Sequence, residues 1–159
     1  MNDLWFYGAS DPNYGFLSNF YEADFVMSNQ LWPTVEHYFQ AAKFKDRRTV
    51  EAILQCSTPN RARHLGRTSK PLRSDWLDVR VDYMRSAVFW KFEQNPALKN
   101  KLTGTWGRKL IEHTWNDSFW GDIGDGHGQN MLGKILMEVR EQFYFEQQEL
   151  DHGAAARAA

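Results

Sequence analysis

Glu36 and Lys43 are the residues best placed to do chemistry, in the run Trp32-Pro33-Thr34-Val35-Glu36-His37-Tyr38-Phe39-Gln40-Ala41-Ala42-Lys43-Phe44. Thr34 follows a proline and precedes a stretch free of helix breakers, so it reads as a helix N-cap. On a helix starting there, Glu36 and Lys43 are nearly two turns apart and share one face, about 10 Å apart along the axis. Phe39 and Gln40, one turn on from Glu36, share that face. An acid, an amide, an aromatic and an amine in line make a wall for a small polar substrate. The same residues also have a plain reading. A Glu in the first turn is favoured by the macrodipole, and a Lys further along ordinarily reaches solvent.

A second candidate is Trp120-Gly121-Asp122-Ile123-Gly124-Asp125-Gly126-His127-Gly128-Gln129-Asn130. Its glycines let backbone approach a ligand closely. Asn130 is placed to cap a helix, whose free amides favour an anion such as a phosphate. Neither a dinucleotide fingerprint nor a P-loop is present, so the segment is either a ligand loop or simply a loop. Asp122, beside Trp120, reads as an acid or base whose pKa an apolar neighbour raises. Asp122, Asp125 and His127 fit neither a calcium loop nor a helical zinc pair. Arg61, Arg63, Arg67, Lys70 and Arg73 form a basic cluster suited to phosphate, or else a solvated face. Asn19, in Phe16-Leu17-Ser18-Asn19-Phe20-Tyr21, either reads a base edge or ribose or holds its own turn. Cys56 is a spectator thiol by default. His37, His64, His113 and His127 are too scattered to assign.

The elements that position these residues follow from pattern. Leu4–Tyr7 is a short strand, and residues 24–28 and 31–32 form a hairpin turning at Asn29-Gln30. The helix from Thr34 ends near Asp46, and Arg48–Gln55 forms another. Thr58-Pro59 opens a helix that Gly66 closes. Ser74 caps a long helix from Asp75 to about Gln94 with Trp76, Val79, Tyr83 or Met84, Ala87 and Phe89 or Trp90 inward. Asn95-Pro96 starts a short helix ending at Gly104, and Lys109–His113 forms a strand. The last helix turns Leu132, Ile135, Leu136, Val139 and Phe143 inward. The expected class is mainly α, an α-rich α+β fold with a small antiparallel element near the N-terminus.

At 159 residues the chain suits one domain over residues 1–150, with residues 151–159 a small, polar, disordered tail. Aromatic residues make up 15%, including 7 Trp, and favour a pocket for a flat, partly polar ligand. A net charge of −1 argues against a broad basic face for duplex nucleic acid. The single cysteine excludes an internal disulfide. No signal-like start and no run of membrane-spanning length is present, giving a cytoplasmic expectation.

The stretches Phe16–Phe20, Trp32–Ala41 with Lys43-Phe44, Gly66-Arg67 and Lys70–Arg73 resemble motifs of the YbiA-like family, also called NADAR. The resemblance continues in order through Trp76, Met84, Lys91-Phe92, Leu110–Glu112, Trp120-Gly121-Asp122, Gly128–Gly133 and Leu136-Met137. It implies a helical YbiA-like fold and a metal-independent N-glycosidase acting on ribosylated amines, with no metal and no cofactor. Two substrate classes are implied: a ribosylamino-pyrimidine phosphate of early riboflavin synthesis, and guanine carrying ADP-ribose on its amino group. The partner is therefore a small nucleotide or ribosylamine phosphate, or ADP-ribosylated nucleic acid, with no membrane; oligomeric state stays open. By resemblance Glu36, Trp76, Trp120 and Asp122 fall on functionally important positions, with Lys43 in the same set. The full candidate site is Glu36, Lys43 and Asp122 as catalytic residues, with Asn19, Phe20, Arg67, Trp76, Trp120, Gly121 and Asn130 binding substrate. Two routes stay open, a Lys43 Schiff base and a ring-closed oxocarbenium-like path. A catalytically silent ADP-ribose sensor is the alternative of a different class.

Overall fold

In chain order the elements are β1 (Leu4–Phe6), β2 (Phe25–Met27), β3 (Gln30–Trp32), α1 (Val35–Ala41), α2 (Arg47–Leu54), α3 (Pro59–Thr68), α4 (Trp76–Glu93), α5 (Pro96–Thr103), β4 (Leu110–Glu112) and α6 (Met131–Ala158). A computed structural model describes residues 3–158, with side chains through residue 153. Helices dominate and each strand has three residues, which makes this an α-rich α+β fold. The chain divides into two compact units, Phe6–Asn95 and Pro96–Ala159 with Met1–Trp5.

In the Phe6–Asn95 unit, β2 and β3 form the expected hairpin, with Phe25 opposite Trp32 and Met27 opposite Gln30. The turn is Ser28-Asn29, one residue earlier than Asn29-Gln30, because both residues take positive φ (53° and 59°). Two left-handed residues match the twist of a tight hairpin, and Asn tolerates that region well. Thr34 caps α1 as expected, its Oγ1 accepting from the His37 N–H at 3.2 Å. The helix stops at Ala41, well short of Asp46. After it the chain tightens into i→i+3 bonds, Lys43 N–H to Gln40 O and Phe44 N–H to Ala41 O. Phe44 is then buried and Asp46 caps α2.

Gly66 does not close α3, which runs on to Thr68. It is buried, and a Cβ there would overlap the Gln40 amide of α1. The glycine thus seats one helix on another, and α1 packs against α2, α3 and α4. Asp75 rather than Ser74 precedes α4, and its carboxylate binds Arg73 at 2.6 Å instead of capping the helix. The buried face of α4 is Trp76, Met84, Ala87, Val88, Lys91 and Phe92, so a lysine stands in the apolar stripe.

In the other unit, β1 pairs with β4, the Leu4 N–H donating to Lys109 O at 2.8 Å. Leu132, Ile135, Leu136, Val139 and Phe143 of α6 are all buried, as their spacing requires. Arg140, also buried, donates to the carbonyls of Thr105 and Arg108 and ties down the turn after α5. The helix continues through residues 151–158, which the sequence assigns to a tail; alanine is the best helix former and dominates there. Residue 159 lies outside the described residues. Among the described residues no helix is long and apolar enough to cross a membrane.

Candidate active site

Glu36 sits in the first turn of α1, 6% exposed. Its N–H donates to Asn19 O at 3.0 Å, and its Oε1 accepts from Gln40 Nε2 at 2.7 Å. Burial raises its pKa, and the Gln40 hydrogen bond with the charges of Arg63, Lys43 and Arg67 offsets only part of that. Gln40 Oε1 is itself buried with no hydrogen-bond partner among the described residues, pressed against Gly66.

Lys43 has left the helix, yet it remains with Glu36. Its Nζ lies 5.8 Å from the ring centre of Phe39 and 6.0 Å from that of Trp76. Burial lowers its pKa to about 8; Glu36 pulls it up, while Arg67, Arg63 and Lys70 push it further down. The acid therefore keeps its proton to higher pH than an ordinary carboxyl. The amine releases its proton far more easily than an ordinary lysine.

Trp76 is 7% exposed, with its ring 5.0 Å from Phe39 and 6.1 Å from Tyr83, so most of its surface serves packing. Asn19 is buried too, and its side-chain amide donates to Met84 Sδ at 3.4 Å. Phe20 is partly exposed beneath the Arg63 guanidinium, 5.8 Å from its ring centre. The basic cluster divides. Arg73 is taken by Asp75 and Tyr83 and Arg61 by Ser57, leaving Arg63, exposed Arg67 and Lys70 to act on the Glu36–Lys43 pair.

The glycine-rich segment belongs to the other unit. Asp122 is buried and accepts from His113 Nδ1 at 3.0 Å, the Thr114 N–H at 3.2 Å and the Gly124 N–H at 2.9 Å. Burial is the largest single influence and pushes the carboxyl up, but these donors together hold it below the ordinary value. The raised pKa expected from Trp120 as neighbour is therefore corrected: the polar donors around the carboxylate outweigh its burial.

The expected phosphate cradle at the start of α6 is corrected as well. The N–H groups of Asn130, Met131 and Leu132 donate to the carbonyls of Gly121, Phe119 and Trp120. Asn130 is not a side-chain cap, since its amide bridges Leu110 O and the Glu112 N–H at 2.8 and 3.0 Å. At Gly121 a Cβ would strike Thr114 and the Glu112 carbonyl. Trp120 is half-buried against the edge of Phe119. His127 pairs with exposed Asp125 at 3.2 Å, and among the described residues no three acidic, His or Cys side chains group as metal ligands. A pocket of about 320 Å³ opens beside this loop, with Trp5, Lys109, Gln129 and Lys134 among its walls.

Sequence spacing did not single out His113 as the partner of Asp122, because that pairing joins a strand end to a loop. Lys91 left a usable signal: it falls seven residues after Met84, on the inward stripe of α4.

A family model described as the NADAR domain matches residues 5–144. The chain belongs to the NADAR family. Among its relatives, the N-glycosidase YbiA of Escherichia coli is 48% identical over 142 residues, covering 89% of this chain and 88% of that protein. An N-glycosidase of Nostoc punctiforme is 41% identical over 143 residues, 87% of this chain and 91% of its own length. A riboflavin biosynthesis protein of Vibrio vulnificus is 46% identical over 140 residues, 87% of this NADAR chain but 38% of that longer protein. The NMR structure of E. coli YbiA superposes with a TM-score of 0.85 at 47% identity, covering 94% of this chain and 90% of the other.

Proposed function

We propose that this N-glycosidase hydrolyses the ribose C1′–N bond of a phosphorylated ribosylamine, with Glu36 as proton donor and Lys43 as nucleophile. The observation that carries the reading is the pair itself: a buried carboxyl beside an amine whose pKa is about 8. Ionisable groups displaced in these directions cluster at catalytic sites, which favours an enzyme over a module that only binds its ligand.

A ribosylated exocyclic amine can open its sugar ring, leaving C1′ doubly bonded to nitrogen. The free Lys43 amine adds to C1′. The C1′–N bond to the base then breaks, and the departing nitrogen takes its proton from Glu36, leaving Lys43 joined to C1′ as an iminium. Water adds to C1′ and gives up a proton to the Glu36 carboxylate. The lysine–C1′ bond breaks, and the sugar aldehyde recloses. The balance is one water consumed, one base amine and one ribose released.

Arg63, Arg67 and Lys70 supply the charge for the substrate's phosphate, and three cations suit a diphosphate, as in ADP-ribose on the guanine amino group. The Vibrio vulnificus relative's name favours the other member of the class, a ribosylamino-pyrimidine phosphate. Phe20 and the Phe39–Trp76 wall form the apolar side. In the other unit, Asp122 serves as a fixed carboxylate that orients His113 and closes its loop, rather than as a proton donor.

The deciding experiment offers both substrates side by side and follows release of free base amine. Turnover of at least one is expected, with E36Q slower by about 100-fold or more, the scale of lost acid–base help. No release from either substrate, or an undiminished E36Q rate, contradicts the reading.

A further inference from the structure

Lys91 is 1% exposed, and the chemistry above does not use it. Its Nζ donates to the carbonyl oxygens of Phe16 at 2.7 Å and Ser18 at 2.9 Å. The ring centres of Tyr21 and Phe92 lie 5.5 and 5.1 Å from it. Burial alone accounts for its pKa of about 7, with no carboxylate contributing. A cation kept in a dry interior without an anion is costly, so the geometry it enforces has to be worth that cost.

That geometry leads to Glu36. Residues 15–17 make a single 3-10 turn, and Ser18 and Asn19 follow in irregular backbone. The Asn19 carbonyl accepts the Glu36 N–H at 3.0 Å. This N–H lies in the first turn of α1 and has no intrahelical acceptor available. Asn19 supplies one from outside, and so registers the helix start against the turn that Lys91 holds.

We propose that Lys91 is a positioning residue for Glu36: it fixes the 16–19 turn through two carbonyls, and Asn19 of that turn fixes the helical turn that aims the Glu36 carboxyl. The inference rests on the reading of Glu36 as proton donor. An anchor serving stability alone would raise or lower the folded fraction without regard to what stands at position 36.

A double-mutant cycle of K91M and E36Q tests it, scored on the better of the two substrates above. K91M is expected to keep a cooperative melt, to lower kcat by about 10- to 100-fold, the scale of a slightly misplaced catalytic group, and to change KM less than about threefold. In the E36Q background the same substitution is expected to cost less than about threefold, since there is no donor left to misplace. Equal losses in both backgrounds, or full activity of K91M, overturn the proposal. Undiminished activity of E36Q alone overturns the reading of Glu36 instead, in a separate arm of the cycle.

Should K91M fail to fold, hydrogen exchange in the unsubstituted chain decides. The Glu36 N–H is expected to be protected like the interior amides of α4, because Asn19 holds it. Exchange as fast as that of the exposed loop amide of Asp125 overturns the proposal.

Discussion

The proposed roles of Glu36 and Lys43 rest on the fold withdrawing both residues from water. Burial drives the carboxyl toward its acid and the ammonium toward its free amine, while their mutual attraction opposes both shifts. The consequence is a pH profile with an assignable limb. The amine must be unprotonated to attack, so kcat/KM is expected to climb about tenfold per pH unit on the acid side and level off above about pH 8, where Lys43 titrates. The falling limb belongs to Glu36 losing the proton it must donate, at a higher pH than an ordinary carboxyl would lose it. Measuring the profile for E36Q separates the two, since that variant retains the rising limb and lacks the falling one. A flat profile between pH 6 and about 9 removes Lys43 from the chemistry. At this scale the residue types were legible in the sequence but their surroundings were not. Asp122 showed the gap: an adjacent Trp in the chain said nothing about the three donors that the fold turns onto its carboxylate.

At the scale of elements, the decisive feature is how closely α1 and α3 approach. Gly66 leaves room for the Gln40 amide, and Gln40 in turn donates to Glu36. G66A places a methyl group where that amide lies. It is expected to destabilise the fold by about 1–3 kcal/mol, as overpacking does, and to lower kcat by displacing Gln40 from the carboxyl. Thermal melts and turnover on the same preparation check both halves. An unchanged melt with unchanged turnover means that Gln40 moves freely and positions nothing. Helix starts were readable here because caps are local: Thr34, Asp46 and Thr58 all accept from the amide three residues on. Helix ends were not. Ala41 ends α1 because Phe44 turns inward, and Gly66 fails to end α3 because Gln40 needs its space. Both are decided by residues that the local pattern does not contain. Lys91 is an intermediate case, visible as a charge at an inward position but silent about the carbonyls it reaches.

For the molecule as a whole, a net charge of −1 stands against a local set of three cations around Lys43, the proposed phosphate site. Rates on a short ADP-ribosylated strand and on the free nucleoside are then expected to depend similarly on salt. The slope of log kcat/KM against log salt should be about −2 or shallower, from roughly 0.7 per contacted phosphate and three cations. A slope several units steeper on the strand reveals a nucleic-acid path beyond these three residues. Fold class and family were legible from motif order across nearly the whole chain, and the NADAR match and the superposition on E. coli YbiA agree with it. The substrate was not legible, because phosphate, ribose and an exocyclic nitrogen are common to both candidates.

Chemical trapping reads out the proposed bond between Lys43 and ribose C1′ during turnover. Borohydride added while the enzyme works reduces an iminium to a stable amine, and peptide mass spectrometry then locates the adduct. A ribosyl adduct on Lys43 is expected, absent from K43A, together with loss of most activity in that variant. Full turnover by K43A with no adduct on the unsubstituted enzyme contradicts it and leaves the ring-closed route in its place.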